Sequence, residues 1–140
     1  MFKKILLAAD GSSHSKRATE KAIFLAKKTE GSSVTLIHVI DDIPGRTEVM
    51  EEDLSPRKVP DHHKERTASI EKYLEDEGVT YEVQHIFGEP GPSIIRNANN
   101  GDYDIVVIGS RGLNPFQEMV LGSVSHKVAK RAECPVMIVK

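Results

Sequence analysis

The chain has little cysteine: Cys134 alone, so no intramolecular disulfide and no cysteine-rich metal site can form. It lies just before Pro135-Val136 and reads as a small core or boundary residue at a strand entrance. Charge of one sign is also missing. The formal net charge is −2, which argues against a bulk electrostatic role on nucleic acid or on an acidic membrane surface. No apolar run is long enough to span a bilayer. The run Ile5–Ala9 behind Lys3-Lys4 is five residues and ends at Asp10, too short for the core of a signal peptide. A soluble, cytoplasmic protein is the expectation.

Several chemical signatures are absent too. There is no Gly-x4-Gly-Lys-Ser/Thr, no Gly-x-Gly-x-x-Gly and no Gly-x-Ser-x-Gly. Fast P-loop ATPase chemistry, dinucleotide binding and a hydrolase nucleophile elbow all lose their anchor. Of the six histidines, His62 and His63 are adjacent and point to different faces of a helix. His38 falls in a strand and His126 on a helix, and no ligand spacing links them. No metal-ligating set of side chains is expected.

What the sequence does contain is an end-to-end alternation of strand-like and helix-like segments. At 140 residues it is expected to be one domain, 1–140, with a single core. Ile5–Ala9, Val34–Ile40 and Ile105–Ile108 are short apolar runs of buried-strand type, and Val136–Val139 is a final one. Residues 79–87 alternate partly, as a strand nearer a sheet edge does. Helices are predicted from about Ser13 to Thr29, with Ala18, Ala22, Leu25 and Ala26 inward, and from His62 to Glu77, with Ile70 and Leu74 inward. A short helix starts at Pro92 and a last one carries Leu121, Val124, Val128 and Ala132. Residues 41–61 hold three prolines, many acids and few large apolar residues, and read as a long mobile loop. Strands separated by helices imply an α/β fold: a parallel sheet with helices on both faces. Ligands of such sheets bind at the carboxyl ends of the strands, where strand order reverses. Asp10 and Gly109 both lie just beyond such ends.

The segment Gly109-Ser110-Arg111-Gly112, nine residues, then Gly122-Ser123-Val124-Ser125 has the form of a two-part phosphate cradle. It sits between a strand's carboxyl end and a helix's amino end, where free N–H groups and the helix dipole favour an anion. Ser123 and Ser125 add hydroxyls; Gly122-Ser123 is equally an ordinary helix start. Arg111 could neutralise phosphate oxygens or simply be a solvated loop arginine. Asp10 could accept from a ribose hydroxyl or hold a hydrated cation, or it could begin a turn or cap the next helix. Lys127, Lys130 and Arg131 complement the dipole of the last helix and give no indication of nucleic acid.

Taken together, these residues resemble the universal stress protein family along essentially the whole chain. The resemblance rests on Lys4–Ser12 followed by Ala18, on Leu36–Asp41, on Gly88-Glu89-Pro90, on Asp104–Gly112, on Leu121–Ser125 and on Cys134-Pro135-Val136. The unbroken Gly-x2-Gly-x9-Gly-Ser spacing is similar to that of the family's ATP-binding branch. The resemblance implies a Rossmann-like, five-stranded sheet of order 3-2-1-4-5 that binds an adenine nucleotide. Ala8, Ala9 and Asp10 then match the strand end that contacts adenosine, with Asp10 near the ribose. Val39 matches the position whose backbone recognises adenine. Ile108 and Gly109 flank the nucleotide, and Arg111-Gly112 begin the phosphate loop. Gly122, Ser123, Val124 and Ser125 match the residues around the phosphates. Mg²⁺ or Mn²⁺ would ride on the phosphates with few protein ligands. Val136, Met137, Ile138 and Val139 match the strand that pairs across a homodimer axis. Ala8-Ala9 occupies a position of variable size in the family and could alter the ribose fit.

An ATP-binding regulatory module of the stress response, with at most slow hydrolysis, is the function these residues imply. The alternative is a phosphoryl- or adenylyl-transfer enzyme on the same fold. No catalytic residue is assigned, because Asp10 and Ser123 have simpler roles and no positioned base or nucleophile is visible.

Overall fold

The computed structural model describes residues 2–10, 12–40, 61–110 and 122–140, with 61–63 described by backbone alone. Of the expected loop at 41–61, residues 41–60 lie outside these residues and Asp61 begins a helix; the pair Arg111-Gly112 also lies outside them. Strands and helices alternate as β1 (Lys4–Ala8), α1 (Ser13–Lys28), β2 (Ser33–Ile40), α2 (Asp61–Asp76), β3 (Tyr81–Phe87), α3 (Pro90–Asn100), β4 (Ile105–Gly109), α4 (Ser123–Arg131) and β5 (Val136–Val139). The five strands form one parallel sheet in the order β3-β2-β1-β4-β5. Both the parallel α/β class and the strand order agree with the sequence expectation.

Alternation along each strand divides the core into two layers. Ile5, Leu7, Val34, Leu36, Ile105 and Val107 point to one face and meet Ala18, Ala22, Ile23 and Ala26 of α1 and Ile70 and Leu74 of α2. Leu6, Ala8, Ile37, Val106 and Ile108 point to the other and meet Ile94 and Ala98 of α3 and Val128 of α4. Both faces of β1 and β4 are therefore covered, which is why these strands read as unbroken apolar runs. Leu7 and Leu36 are wholly buried, and cutting such a leucine to alanine costs about 2–5 kcal/mol. Three small residues, Ala18, Ala22 and Ala26, let α1 lie close over the sheet. Ile23 completes its buried stripe and Leu25 is only partly buried, a rotation of the face predicted from spacing.

One boundary also moves. The third strand starts at Tyr81 and not at Val79, because Val79 belongs to the end of α2. Its N–H donates to the Leu74 carbonyl at 3.1 Å, and the Gly78 N–H donates to Glu75 at 3.0 Å. Gly78 has φ +73°, the left-handed value this helix terminus needs and that glycine adopts without strain. Val79 and Leu74 then share the first core layer, the apolar contact that accompanies such a terminus. Partial burial along β3 matches its place at the sheet edge; β5 is the other edge. Among the described residues no helix is long and apolar enough to cross a membrane.

Candidate functional site

β1 and β4 are neighbours, yet the chain leaves them in opposite directions, from β1 toward β2 and from β4 toward β5. Their carboxyl ends therefore border a crevice. Ala8 is paired in register with Ile108 on one side and with Ile37 on the other. Ala8, Ala9 and Ile108 are buried at that end of the sheet. Val39 is only partly buried within an otherwise buried stretch from Val34 to Ile40, which leaves part of its surface near the same end.

Asp10 closes β1 and begins a hydrogen-bonded turn. Its Oδ1 accepts from the Ser12 N–H at 3.0 Å and from the Ser15 hydroxyl at 2.8 Å. Ser15 Oγ in turn accepts from the Asp10 N–H at 2.8 Å. Ser12 is the N-cap of α1 and accepts from the Ser15 N–H at 3.2 Å. The turn role weighed for Asp10 is thus realised, while the cap of α1 falls to Ser12.

The end of β4 is fixed by Ser110. Its N–H donates to the Val139 carbonyl at 2.7 Å, and its carbonyl accepts from the Gly122 N–H at 2.8 Å. The same carbonyl accepts from the Ser125 hydroxyl, also at 2.8 Å. This clasp brings Gly122, Ser123, Val124 and Ser125 to the end of β4. It also gives the Ser125 hydroxyl hydrogen a protein acceptor, so what Ser125 offers outward is its N–H. Gly109 allows close approach from the other side. A Cβ there would lie 2.7 Å from the His14 Cβ and 3.1 Å from the His14 carbonyl oxygen. His14 Nδ1 is 3.1 Å from Ser110 Oγ.

α1 and α4 begin differently. Ser12 caps α1, whereas Gly122 caps α4 with no side-chain hydrogen bond. No acidic residue lies in the first turn of α4. The N-terminal amides and the positive end of that helix dipole are therefore not neutralised by described side chains, and Ser123 beside them is exposed.

Sequence reasoning missed two histidines. His14 and Ser110 stand 96 residues apart, and nothing in spacing links them. His38 is buried, and its Nδ1 is 2.9 Å from the Ala9 carbonyl. A carbonyl only accepts, so Nδ1 carries the hydrogen and braces the end of β1. The His85 ring lies edge-on to His38, 5.9 Å between centroids, on the neighbouring strand. No group of three or more His, Cys, Asp or Glu side chains gathers for a metal among the described residues. Cys134 is partly buried against the second core layer, and desolvation raises its thiol pKa.

A parallel sheet with a switch-point crevice, bordered by a helix start that no described side chain caps, defines a doubly wound α/β protein. The universal stress protein family model matches residues 1–140, and the chain belongs to that family. Universal stress protein YxiE of Bacillus subtilis is 37% identical over 160 aligned positions, covering 100% of both chains. The solved structure of MJ0577, a universal stress protein of Methanocaldococcus jannaschii, has a TM-score of 0.81 at 30% identity and covers 100% of this chain and 96% of its own. A universal stress protein family member from Arabidopsis thaliana, solved with AMP bound, has a TM-score of 0.69 at 25% identity and covers 99% and 91%.

Proposed function

We propose that the β1/β4 crevice binds an adenine nucleotide, ATP in particular, and that the protein acts as a stress-response regulatory module. The observation that carries this is the start of α4, which has neither a side-chain cap nor a first-turn acid and is clasped to β4 through Ser110. Three amides at Ser123, Val124 and Ser125 suit phosphate oxygens. Ala8, Ala9, Asp10, Val39, Ile108 and Gly109 would surround the nucleoside, and Arg111-Gly112 would complete the phosphate loop. The AMP-bound Arabidopsis relative supports an adenine nucleotide as the ligand class. Mg²⁺ or Mn²⁺ would ride on the phosphates of the bound nucleotide. Asp10 serves the α1 turn, which favours a binding role over that of a general base.

Gly122→Val provides the test. Gly122 has φ −66° and ψ 159°, a conformation that valine also adopts, so the fold should survive. Its branched side chain would stand where phosphate should lie. Calorimetric titration with ATP and Mg²⁺ should show binding to the native chain and a large loss in the variant; equal affinities would overturn the assignment. Turnover should stay far below the ordinary enzyme range of about 1 per second or more. Sustained turnover in that range, abolished by a site substitution, would instead establish a transfer enzyme.

A further inference from the structure

His14 meets the end of β4 at two points. Its backbone and Cβ crowd Gly109, where no Cβ would fit, and its ring nitrogen Nδ1 is 3.1 Å from Ser110 Oγ. Ser110 is itself immobilised: buried, tied to β5 through Val139 and to α4 through Gly122 and Ser125. The imidazole is thus aimed by a residue that cannot easily move. Its exposure differs from that of Ser110, for His14 is only partly buried. His14 Nε2 has no hydrogen-bond partner among the described residues. When the Ser110 hydroxyl donates to Nδ1, the neutral ring carries its hydrogen on Nε2, a donor with no partner among the described residues.

We propose that His14 is a ligand-contacting residue of the crevice, and that its Nε2–H donates to a phosphoryl oxygen of the bound nucleotide. The proposal rests on the crevice being the adenine-nucleotide site. It adds a side-chain phosphate donor from α1 to the amides of α4. It also gives the site a means of preferring nucleotides over nucleosides, because Nε2–H gains a charge-assisted bond only when a phosphate is present. The competing role is a purely structural tie between α1 and β4 through Nδ1.

Asparagine and glutamine separate the two roles. The Asn amide reaches about as far as Nδ1, so His14→Asn can keep the Ser110 contact but not the ligand contact. The Gln amide reaches about as far as Nε2, so His14→Gln restores a donor toward the ligand. Calorimetry with AMP and with adenosine on the full chain should show His14→Ala and His14→Asn each losing about tenfold in AMP affinity, the worth of one charge-assisted hydrogen bond. His14→Gln should return to within about threefold of native, and adenosine affinity should change by less than about twofold in every variant. Nitrogen-15 NMR of the His14 ring should show Nδ1 as acceptor in the free protein and an Nε2 shift on adding AMP. Native-like AMP affinity in His14→Asn with a native unfolding midpoint would overturn the proposal. So would His14→Gln binding no better than His14→Ala, or AMP and adenosine weakening equally. A native chain that binds neither ligand would instead overturn the nucleotide-site reading, and this proposal with it.

Discussion

The Ser125 hydroxyl donates to the Ser110 carbonyl at 2.8 Å and so joins the first turn of α4 to the end of β4. Both residues are buried. Removing the hydroxyl leaves the carbonyl with the Gly122 N–H as its other described donor. Ser125→Ala should therefore lower stability by about 1–2 kcal/mol, the cost of a lost buried hydrogen bond without a cavity of note. Urea denaturation measures it. Because the Ser125 N–H is untouched, ATP affinity should fall far less than in Gly122→Val. An unchanged urea midpoint would mean that Gly122 alone holds the junction.

Gly109→Ala tests the approach of α1 to β4. The added methyl would come within 2.7 Å of the His14 Cβ and 3.0 Å of the His14 backbone carbon. Backbone atoms at that distance cannot swing aside, so α1 must shift, at about 1–3 kcal/mol. Circular dichroism during chemical unfolding checks this. A native-like midpoint would show that α1 slides away without cost.

Parts of this architecture were plain in the residues and parts were not. β1 and β4 are covered on both faces, so Ile5–Ala8 and Ile105–Ile108 had to be continuous apolar runs, and they stand out as such. The strand order followed from the family resemblance, since periodicity carries no information on lateral neighbours. Spacing of Gly109 and Gly122 pointed to the β4–α4 junction, where the structure places them on either side of the Ser110 clasp. The clasp itself was invisible, because a serine carbonyl accepting two donors leaves no pattern. Contacts such as His14 with Ser110, or His38 with Ala9, join residues 96 and 29 positions apart and depend on the strand register. Val79 misled for a related reason: a β-branched residue after Gly78 suits a strand and a helix terminus equally.

Acid stability should depend on Asp104. Its carboxylate accepts from the N–H groups of Lys3 and Lys4, both at 2.9 Å, just before β4. These bonds, the one from Lys4 first, hold its pKa below the usual carboxylate value. The folded pKa is depressed, so the stabilisation is complete above the unfolded value of about 3.9 and disappears as pH falls through the folded pKa. Asp104→Asn should flatten the acid limb of the stability profile below about pH 4 while leaving its neutral plateau sloping as before. Thermal unfolding between neutral and acid pH is the measurement. An acid limb of native steepness in the variant would assign that dependence to other groups.

Dimerisation through β5 is the last expectation, and the ladder gives it an atomic form. β4 bonds to β5 through the carbonyls of Pro135 and Val139, which accept from Val106 and Ser110. In a parallel strand the backbone groups of alternate residues point the same way, so those of Val136 and Ile138 face the open edge. A short apolar edge strand whose outer backbone groups have no partner among the described residues favours association with another strand. Pairing with its own symmetry mate would close both edges by one two-fold contact. Ile138→Pro is the discriminating change. Its missing N–H lies on the outer side, so the monomer ladder stays intact, while an intersubunit bond is lost and the ring blocks the approach. Sedimentation at micromolar concentration should show a dimer for the native chain and a shift toward monomer for the variant. Circular dichroism should confirm that the variant is folded. A native chain that sediments as a monomer would rule out the edge-to-edge dimer.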